Sequence, residues 1–115
     1  MKKLLVIGLL FSAVVAKAQT ASVDSSMVGK NITVCGIVER VGQSKTSMIT
    51  FINFDKDDSP YTGVIYAKDT INFTEYNPMD FLEGKNICIT GTVSLYKGKP
   101  QIEIATPKQI EIKER

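Results

Sequence analysis

The sequence contains no histidine and no tryptophan, and it has only two cysteines in 115 residues. Because histidine is the commonest general base and a frequent metal ligand, its absence weakens the case for acid–base or zinc chemistry. Cys35 and Cys88 form no Cys-x-x-Cys motif and are too few for a zinc site. No serine or cysteine has an identifiable activating partner, and the carboxylates are scattered or confined to one turn. We therefore predict a protein that is not an enzyme, with no catalytic residue, no cofactor and no metal.

The first eighteen residues have the pattern of a secretory signal peptide. Lys2 and Lys3 precede an apolar run over residues 4–16, and Ala16-Lys17-Ala18 supplies the small residues that a signal peptidase reads. The run is short for a membrane span. We expect cleavage before Gln19, no membrane span in the mature chain, and export to the periplasm in the first instance or to the outside of the cell.

Removal of this segment changes the charge balance. The whole chain has 14 Lys+Arg and 12 Asp+Glu, and the mature chain keeps 11 of the basic residues, for a net charge of −1. Proteins that bind nucleic acid usually carry a basic excess. A nucleic-acid site in this chain therefore requires a local basic patch.

The rest of the chain indicates one small, mainly β domain. Residues 19–28 are small and polar and predict a flexible lead-in to a domain over residues 29–115. Asn77-Pro78 has the form of an N-cap and first-turn proline, and with Gly84 as a stop it predicts a short helix over Pro78–Leu82. Runs rich in β-branched and aromatic residues predict strands over Asn31–Val41, Ser47–Phe54, Thr62–Ala67, Asn86–Leu95 and Pro100–Ala105. A sixth run, Gln109–Lys113, continues the fifth after a break at Pro107.

Three strands, a helix and two strands is the order of the OB-fold, a five-stranded Greek-key barrel. Val34-Cys35-Gly36-x-Val38, Thr50-Phe51-Ile52-Asn53-Phe54, Gly91-x-Val93 and Tyr96-Lys97-Gly98-Lys99-Pro100-Gln101-Ile102 also resemble the OB-fold domains described as nucleic-acid-binding. Those domains occur as small exported bacterial proteins and beside secreted nucleases. The resemblance covers nearly all of residues 27–112 and implies this fold.

The two cysteines fall on equivalent positions of strands that are neighbours in an OB-fold. Alternation directs Ile32, Val34 and Val38, and likewise Ile87, Ile89 and Val93, to the core, so that Cys35 and Cys88 share the other face. A disulfide is then allowed if the register brings their Cα atoms together. It would close a loop of about 53 residues and stabilise the domain by about 4 kcal/mol. The alternative is two independent small apolar residues.

OB-folds bind ligands across strands two and three, between the loops that join strands one to two and four to five. Those loops are predicted at Gly42–Thr46 and Tyr96–Lys99. The second strand resembles that of anticodon-binding OB domains, in which the first aromatic stacks on a base; alternation then directs Phe51 and Asn53 outward, and the alternative is that Phe51 belongs to the core. The candidate ligand-binding residues are Arg40, Lys45, Phe51, Asn53, Tyr61, Tyr96, Lys97, Lys99 and Gln101.

Two classes of ligand fit this pattern. A basic, aromatic rim is typical of single-stranded nucleic acid binding, which is the first prediction. An oligosaccharide, a small cationic ligand or a partner protein on the same face, contacted by Tyr61, Tyr66 and Asn53, is the alternative, and the net charge of −1 favours it. The acidic stretch over residues 55–60 predicts a solvated turn rather than a metal loop. Asp69-Thr70-Ile71 resembles an O-glycosylation acceptor pattern of some Gram-negative periplasms.

Overall fold

The computed structural model of the protein describes residues 25–55 and 58–113. The predicted signal peptide, its cleavage site and the first part of the lead-in lie outside these residues. Within the described ranges, no helix has both the length and the apolar character needed to cross a membrane.

The described residues form six strands and a few short helical turns. The strands are β1 (Asn31–Gln43), β2 (Thr50–Phe54), β3 (Thr62–Ile65), β4 (Asn86–Tyr96), β5 (Lys99–Glu103) and β6 (Ile110–Ile112). One short α-helix, α1 (Pro78–Phe81), lies between β3 and β4. Single 3₁₀ segments occupy Ser25–Met27, Ala67–Asn72 and Pro107–Gln109.

The strands make one sheet in which five of them form a closed, barrel-like ring. The hydrogen-bonded order is β1-β2-β3-β5-β4, and β4 pairs again with β1. All of these pairings are antiparallel except the parallel pair β3–β5. β6 pairs with Ile87–Ile89 of β4, on the same edge of β4 that pairs with β5 farther along the strand. The predicted sixth run is thus a separate strand, and the mainly β character of the prediction is confirmed.

The core fills the inside of this ring. Val38, Ile87, Ile89 and Val93 are buried there, and Ile32 and Val34 pack against them half-buried, which confirms the predicted core faces of the first and fourth strands. The remaining core side chains, which come from every part of the ring, are Val41, Ile52, Phe54, Tyr61, Ile65, Leu82, Ile102, Ile104 and Ile110.

The predicted helix forms, and its cap explains where it begins. The Asn77 side chain accepts a hydrogen bond from the Met79 backbone N–H at 2.9 Å, and Pro78 occupies the first turn. This satisfies one of the amide groups that the start of a helix leaves unpaired. Leu82, the C-cap residue, is 0% exposed, and its side chain joins the core of the ring.

Several strand ends differ from the prediction because local turns intervene. β2 begins at Thr50 rather than Ser47, because the Met48 N–H donates to the Ser44 carbonyl and Met48 has φ of 61°. β3 ends at Ile65, since a 3₁₀ segment begins at Ala67. β5 ends at Glu103 rather than Ala105, because the backbone N–H of Ala105 donates to the side-chain Oε1 of Gln109 at 2.8 Å.

The disulfide prediction is confirmed. Cys35 and Cys88 lie directly opposite each other on β1 and β4 and are bonded, with their Cα atoms 4.0 Å apart. The bond therefore joins two strands at the place where the ring closes. Two residues away along both strands, Thr33 and Thr90 share a hydrogen bond of 2.7 Å on the same outer face.

The last residues of the predicted flexible lead-in, from Ser25 onward, pack against the domain. Ser25–Met27 form a 3₁₀ turn, and Met27 packs on the core. The Gly29 N–H donates to the Val93 carbonyl at 2.9 Å, and the Val93 N–H donates to the Lys30 carbonyl at 2.8 Å. These contacts tie the residues just before β1 to β4.

Candidate binding pocket

A β-bulge in β1 determines which residues face outward on one side of the ring. The pairing of β1 with β2 shifts between Val38, which is opposite Phe54, and Arg40, which is opposite Asn53. The extra residue, Glu39, reverses the alternation, so that Val41 is buried and Arg40 is exposed. Arg40 and Asn53 therefore lie side by side on the outer face.

Two rows of side chains cross this outer face at right angles to the strands. In one row, Phe51 of β2 lies between Gly42 and Val64. In the other row, Asn53 lies opposite Thr62, whose hydroxyl donates to the side-chain Oδ1 of Asn53 at 3.4 Å, and Gln101 of β5 follows Thr62. Because neighbouring rows belong to one face, the aromatic ring of Phe51 and the amide of Gln101 border the same space.

That space is an open pocket of about 410 Å³. Phe51, Val64 and Gln101 are its floor, and Tyr66 and Tyr96 are two of its walls. The turn between β1 and β2 supplies the third wall, with Ser44, Thr46, Ser47 and Ile49. The lining is thus aromatic and rich in hydroxyl groups, and none of the described residues that line it is charged.

Two tight turns hold the walls in place. Between β1 and β2, the Ser44 N–H donates to the Ile49 carbonyl at 2.9 Å, which closes a short turn around Lys45. Between β4 and β5, Lys97 and Gly98 have φ of 53° and 81°, the two positive values that a two-residue type I′ hairpin requires. Tyr96 is already paired in β4 at the base of this hairpin and is 55% exposed.

The charged groups lie around the pocket rather than in it. Lys45, Lys97 and Lys99 are exposed on the two turns, and the Lys97 Nζ lies 5.3 Å from the centroid of the Tyr96 ring, within reach of a cation–π interaction. On the opposite wall, the Tyr66 hydroxyl donates to Glu103 Oε2 at 3.3 Å. Burial raises the pKa of Tyr66, and the Glu103 carboxylate raises it further by its charge and by accepting this hydrogen bond. Tyr66 therefore remains a neutral donor.

The structure brings together most, but not all, of the predicted site residues. Phe51, Tyr96 and Gln101 line the pocket; Arg40 and Asn53 lie on the same sheet face beside it; and Lys45, Lys97 and Lys99 are on its bordering turns. Tyr61 is placed elsewhere: it is 9% exposed and belongs to the core. The turn over Ser59 and Pro60 directs it inward, and the Tyr61 N–H donates to the Ser59 hydroxyl at 3.0 Å.

The sequence prediction missed several lining residues. Val64 was not predicted at the site, because a valine inside a strand is typical of the core. Tyr66 was assigned only to the alternative ligand, yet it borders the pocket. The signal that could have identified it is its position two residues after Val64, which lies opposite Phe51. The turn between β1 and β2 contributes four more lining residues that were not predicted, Ser44, Thr46, Ser47 and Ile49.

Two other predicted features lie away from this pocket. The Asp58 carboxylate accepts the Ile37 backbone N–H at 2.8 Å, so part of the acidic turn is tied to β1. Across the described residues, no group of three or more Cys, Asp or Glu side chains could hold a metal ion. Thr70 is exposed on the 3₁₀ segment Ala67–Asn72, and its hydroxyl donates to the Ala67 carbonyl at 2.9 Å.

Comparison with known proteins finds similar chains among the solved structures. No protein-family model matches the chain, and no curated protein matches it. Among solved structures, the chain is similar to the OBody AM1L10, an engineered binder on an OB-like fold that was solved bound to hen egg-white lysozyme. The two share 19% identity with a TM-score of 0.58, over 84% of this chain and 91% of that chain. At this identity, the likeness concerns the fold alone.

Proposed function

We propose that this chain is an exported, non-catalytic OB-fold module that binds single-stranded nucleic acid in the pocket between the β1–β2 and β4–β5 turns. The ring order β1-β2-β3-β5-β4, with a helix between β3 and β4, supports the five-stranded Greek-key assignment. The likeness to the OBody supports the same fold. The disulfide supports export, since such bonds persist in oxidising compartments.

The observation that carries the proposal is the aromatic lining of the pocket. Phe51, Tyr66 and Tyr96 come from three different elements and border one space of about 410 Å³. Bases stack on such rings, and each stacked base contributes about 1–3 kcal/mol. Tyr96 is the best placed of the three, because it is half-exposed and stands on a rigid two-residue hairpin.

The lysines on the two turns supply the second requirement. Lys45, Lys97 and Lys99 are exposed beside an uncharged pocket, so a base inside the pocket leaves its phosphates near their ammonium groups. This local arrangement compensates for the lack of a basic excess in the chain as a whole. For single-stranded nucleic acid, each phosphate that a lysine neutralises steepens the fall of log K with log salt by about 0.7.

An oligosaccharide is the second candidate, and the lining itself favours it. Ser44, Thr46 and Ser47 present hydroxyl groups beside aromatic rings, and none of the described lining residues carries a charge. Sugars can use the same face of an OB-fold. Their binding would differ from that of a nucleic acid in being nearly independent of salt.

The test is fluorescence anisotropy with labelled single-stranded DNA and RNA at about 50 and 200 mM salt. We expect binding that weakens with salt, and a slope that is shallower by about 1.4 in a variant that carries Lys97→Asn and Lys99→Gln. Asparagine is chosen at Lys97 because Asn-Gly suits the positive φ of this hairpin.

The matched control carries Lys30→Gln and Lys108→Gln, which removes the same charge from exposed positions that do not line the pocket. Its slope should equal that of the unmodified protein. Equal slopes in both double variants would contradict the lysine assignment. Absence of binding at low salt would contradict the nucleic-acid proposal and leave the oligosaccharide.

A further inference from the structure

The floor of the pocket contains a glutamine side chain that is mostly buried but borders the open space. Gln101 is 8% exposed and lines the pocket, and its side chain has no hydrogen bond to any residue that the structure describes. Directly across from it on β4, the Ser94 hydroxyl is also buried without a partner among those residues. Buried polar side chains nearly always have a partner, so the Ser94 hydroxyl opposite Gln101 is an exception. The Gln101 amide, which borders the pocket, is available to a ligand.

We infer that Gln101 reads the edge of the bound base and that the pocket prefers adenine. This inference rests on the proposed function and adds specificity to it. The amide presents one acceptor, Oε1, beside one donor nitrogen, Nε2. Adenine presents the complementary pair, the N6 amino group and the N7 acceptor, and glutamine binds this edge with two hydrogen bonds.

None of the described lining residues is charged, and this favours adenine over guanine and cytosine. Guanine is read mainly by Arg or Lys and cytosine by Asp or Glu, and none of these is among the described lining residues. The carboxylate on this wall, Glu103, already accepts the Tyr66 hydroxyl. Phe51, Tyr66 and Tyr96 also offer more stacking area to a two-ring base than to a pyrimidine.

The experiment compares short oligothymidylates that differ at one central position, with thymine, adenine, cytosine, guanine or 7-deazaadenine, by anisotropy with the purified protein. We expect adenine to bind about tenfold more tightly than the other bases, within the range of one bidentate contact. 7-Deazaadenine, which lacks the N7 acceptor, should lose most of that preference in the unmodified protein.

Gln101→Met keeps the length of the side chain and removes its hydrogen-bonding groups. This variant should bind the adenine, 7-deazaadenine and thymine probes about equally. Gln43→Met is the control, because Gln43 is an exposed glutamine whose amide donates to Thr50 outside this pocket. It should retain the adenine preference.

The outcomes separate this inference from the proposed function. Tight, salt-dependent binding of every probe with no base preference would overturn the adenine inference and leave the nucleic-acid proposal standing. An adenine preference that persists with 7-deazaadenine, or in the Gln101→Met variant, would overturn the role of Gln101. If no probe binds, both proposals fail.

Discussion

Removing the Cys35–Cys88 bond should destabilise the domain by about 4 kcal/mol. The bond closes a loop with a sequence separation of 53 residues. In the chain-entropy description, a crosslink over such a loop lowers the entropy of the unfolded ensemble and raises its free energy by that amount. For a domain of about 90 residues, the melting temperature would fall by about 15–30 °C.

The structure indicates that little else changes when the bond is absent. Cys35 and Cys88 are one of the residue pairs along the β1–β4 ladder, which extends from the pair Asn31–Thr92 to the pair Ile37–Asn86. The main-chain hydrogen bonds of this ladder hold the two strands together without the disulfide. The disulfide also lies on the outer face, away from the core, with Cys35 exposed and Cys88 half-buried. Replacement by serine therefore leaves no core cavity, and the fall in stability should reflect the loop closure alone.

The assay is thermal and urea unfolding, followed by circular dichroism, of the unmodified protein and of the Cys35→Ser, Cys88→Ser double variant, each with and without dithiothreitol. We expect dithiothreitol to lower the melting temperature of the unmodified protein to that of the double variant and to leave the double variant unchanged. A fall of only a few degrees would refute the loop-closure argument. It would mean that the unfolded chain is already restrained or that the bond does not form.

Three further predictions concern stability and ionisation. Gly91→Ala should cost about 1–3 kcal/mol in urea unfolding, because a Cβ there would clash with the backbone oxygen of Glu103, whereas Gly42→Ala, with nothing within 4 Å, should stay within about 1 kcal/mol of the unmodified protein. Glu103→Gln should bring the pKa of Tyr66 down towards its ordinary value of 10.0 in a phenolate absorbance titration, since it removes the negative charge that contributes to the rise; an unchanged titration would contradict the interaction. Asn77→Ala should cost about 1 kcal/mol in thermal unfolding by loss of the helix cap, and an unchanged melting temperature would argue against the cap.

The stability of the protein should also fall in alkaline solution. The pKa of Tyr76 is raised by burial, and that of Tyr66 by burial and by Glu103, so both phenols hold their protons more strongly in the folded state. Their contribution is complete below the ordinary tyrosine pKa and is lost as the pH rises through the higher folded values. Urea unfolding at about pH 9 and pH 11 checks this, and equal stability at both would contradict it.

The alternation of side chains along a strand was sufficient to predict which residues face the core and which face outward. It correctly placed Ile52 and Phe54 in the core and Phe51 half-exposed on the pocket floor. It also placed Cys35 and Cys88 on one face, where the register joins them. These features follow from a period of two residues, which any regular strand imposes.

The features that the sequence did not reveal depend on contacts between distant parts of the chain. Tyr61 was predicted at the site, but the turn before β3 directs it into the core. The bulge at Glu39 arises from the pairing of two strands and leaves no clear mark in either sequence. Tyr66 and Val64 border the pocket only because β3 lies between β2 and β5 in the ring.

The most direct test of the proposed binding pocket is a nuclear magnetic resonance titration of ¹⁵N-labelled protein with a short single-stranded oligonucleotide. If the account is right, the backbone amides of Phe51, Val64 and Gln101 and those of the two bordering turns shift together, while the amides of Thr33 and Thr90, on the disulfide face, stay in place. Shifts centred on Thr33 and Thr90, or no shifts at all, would contradict it.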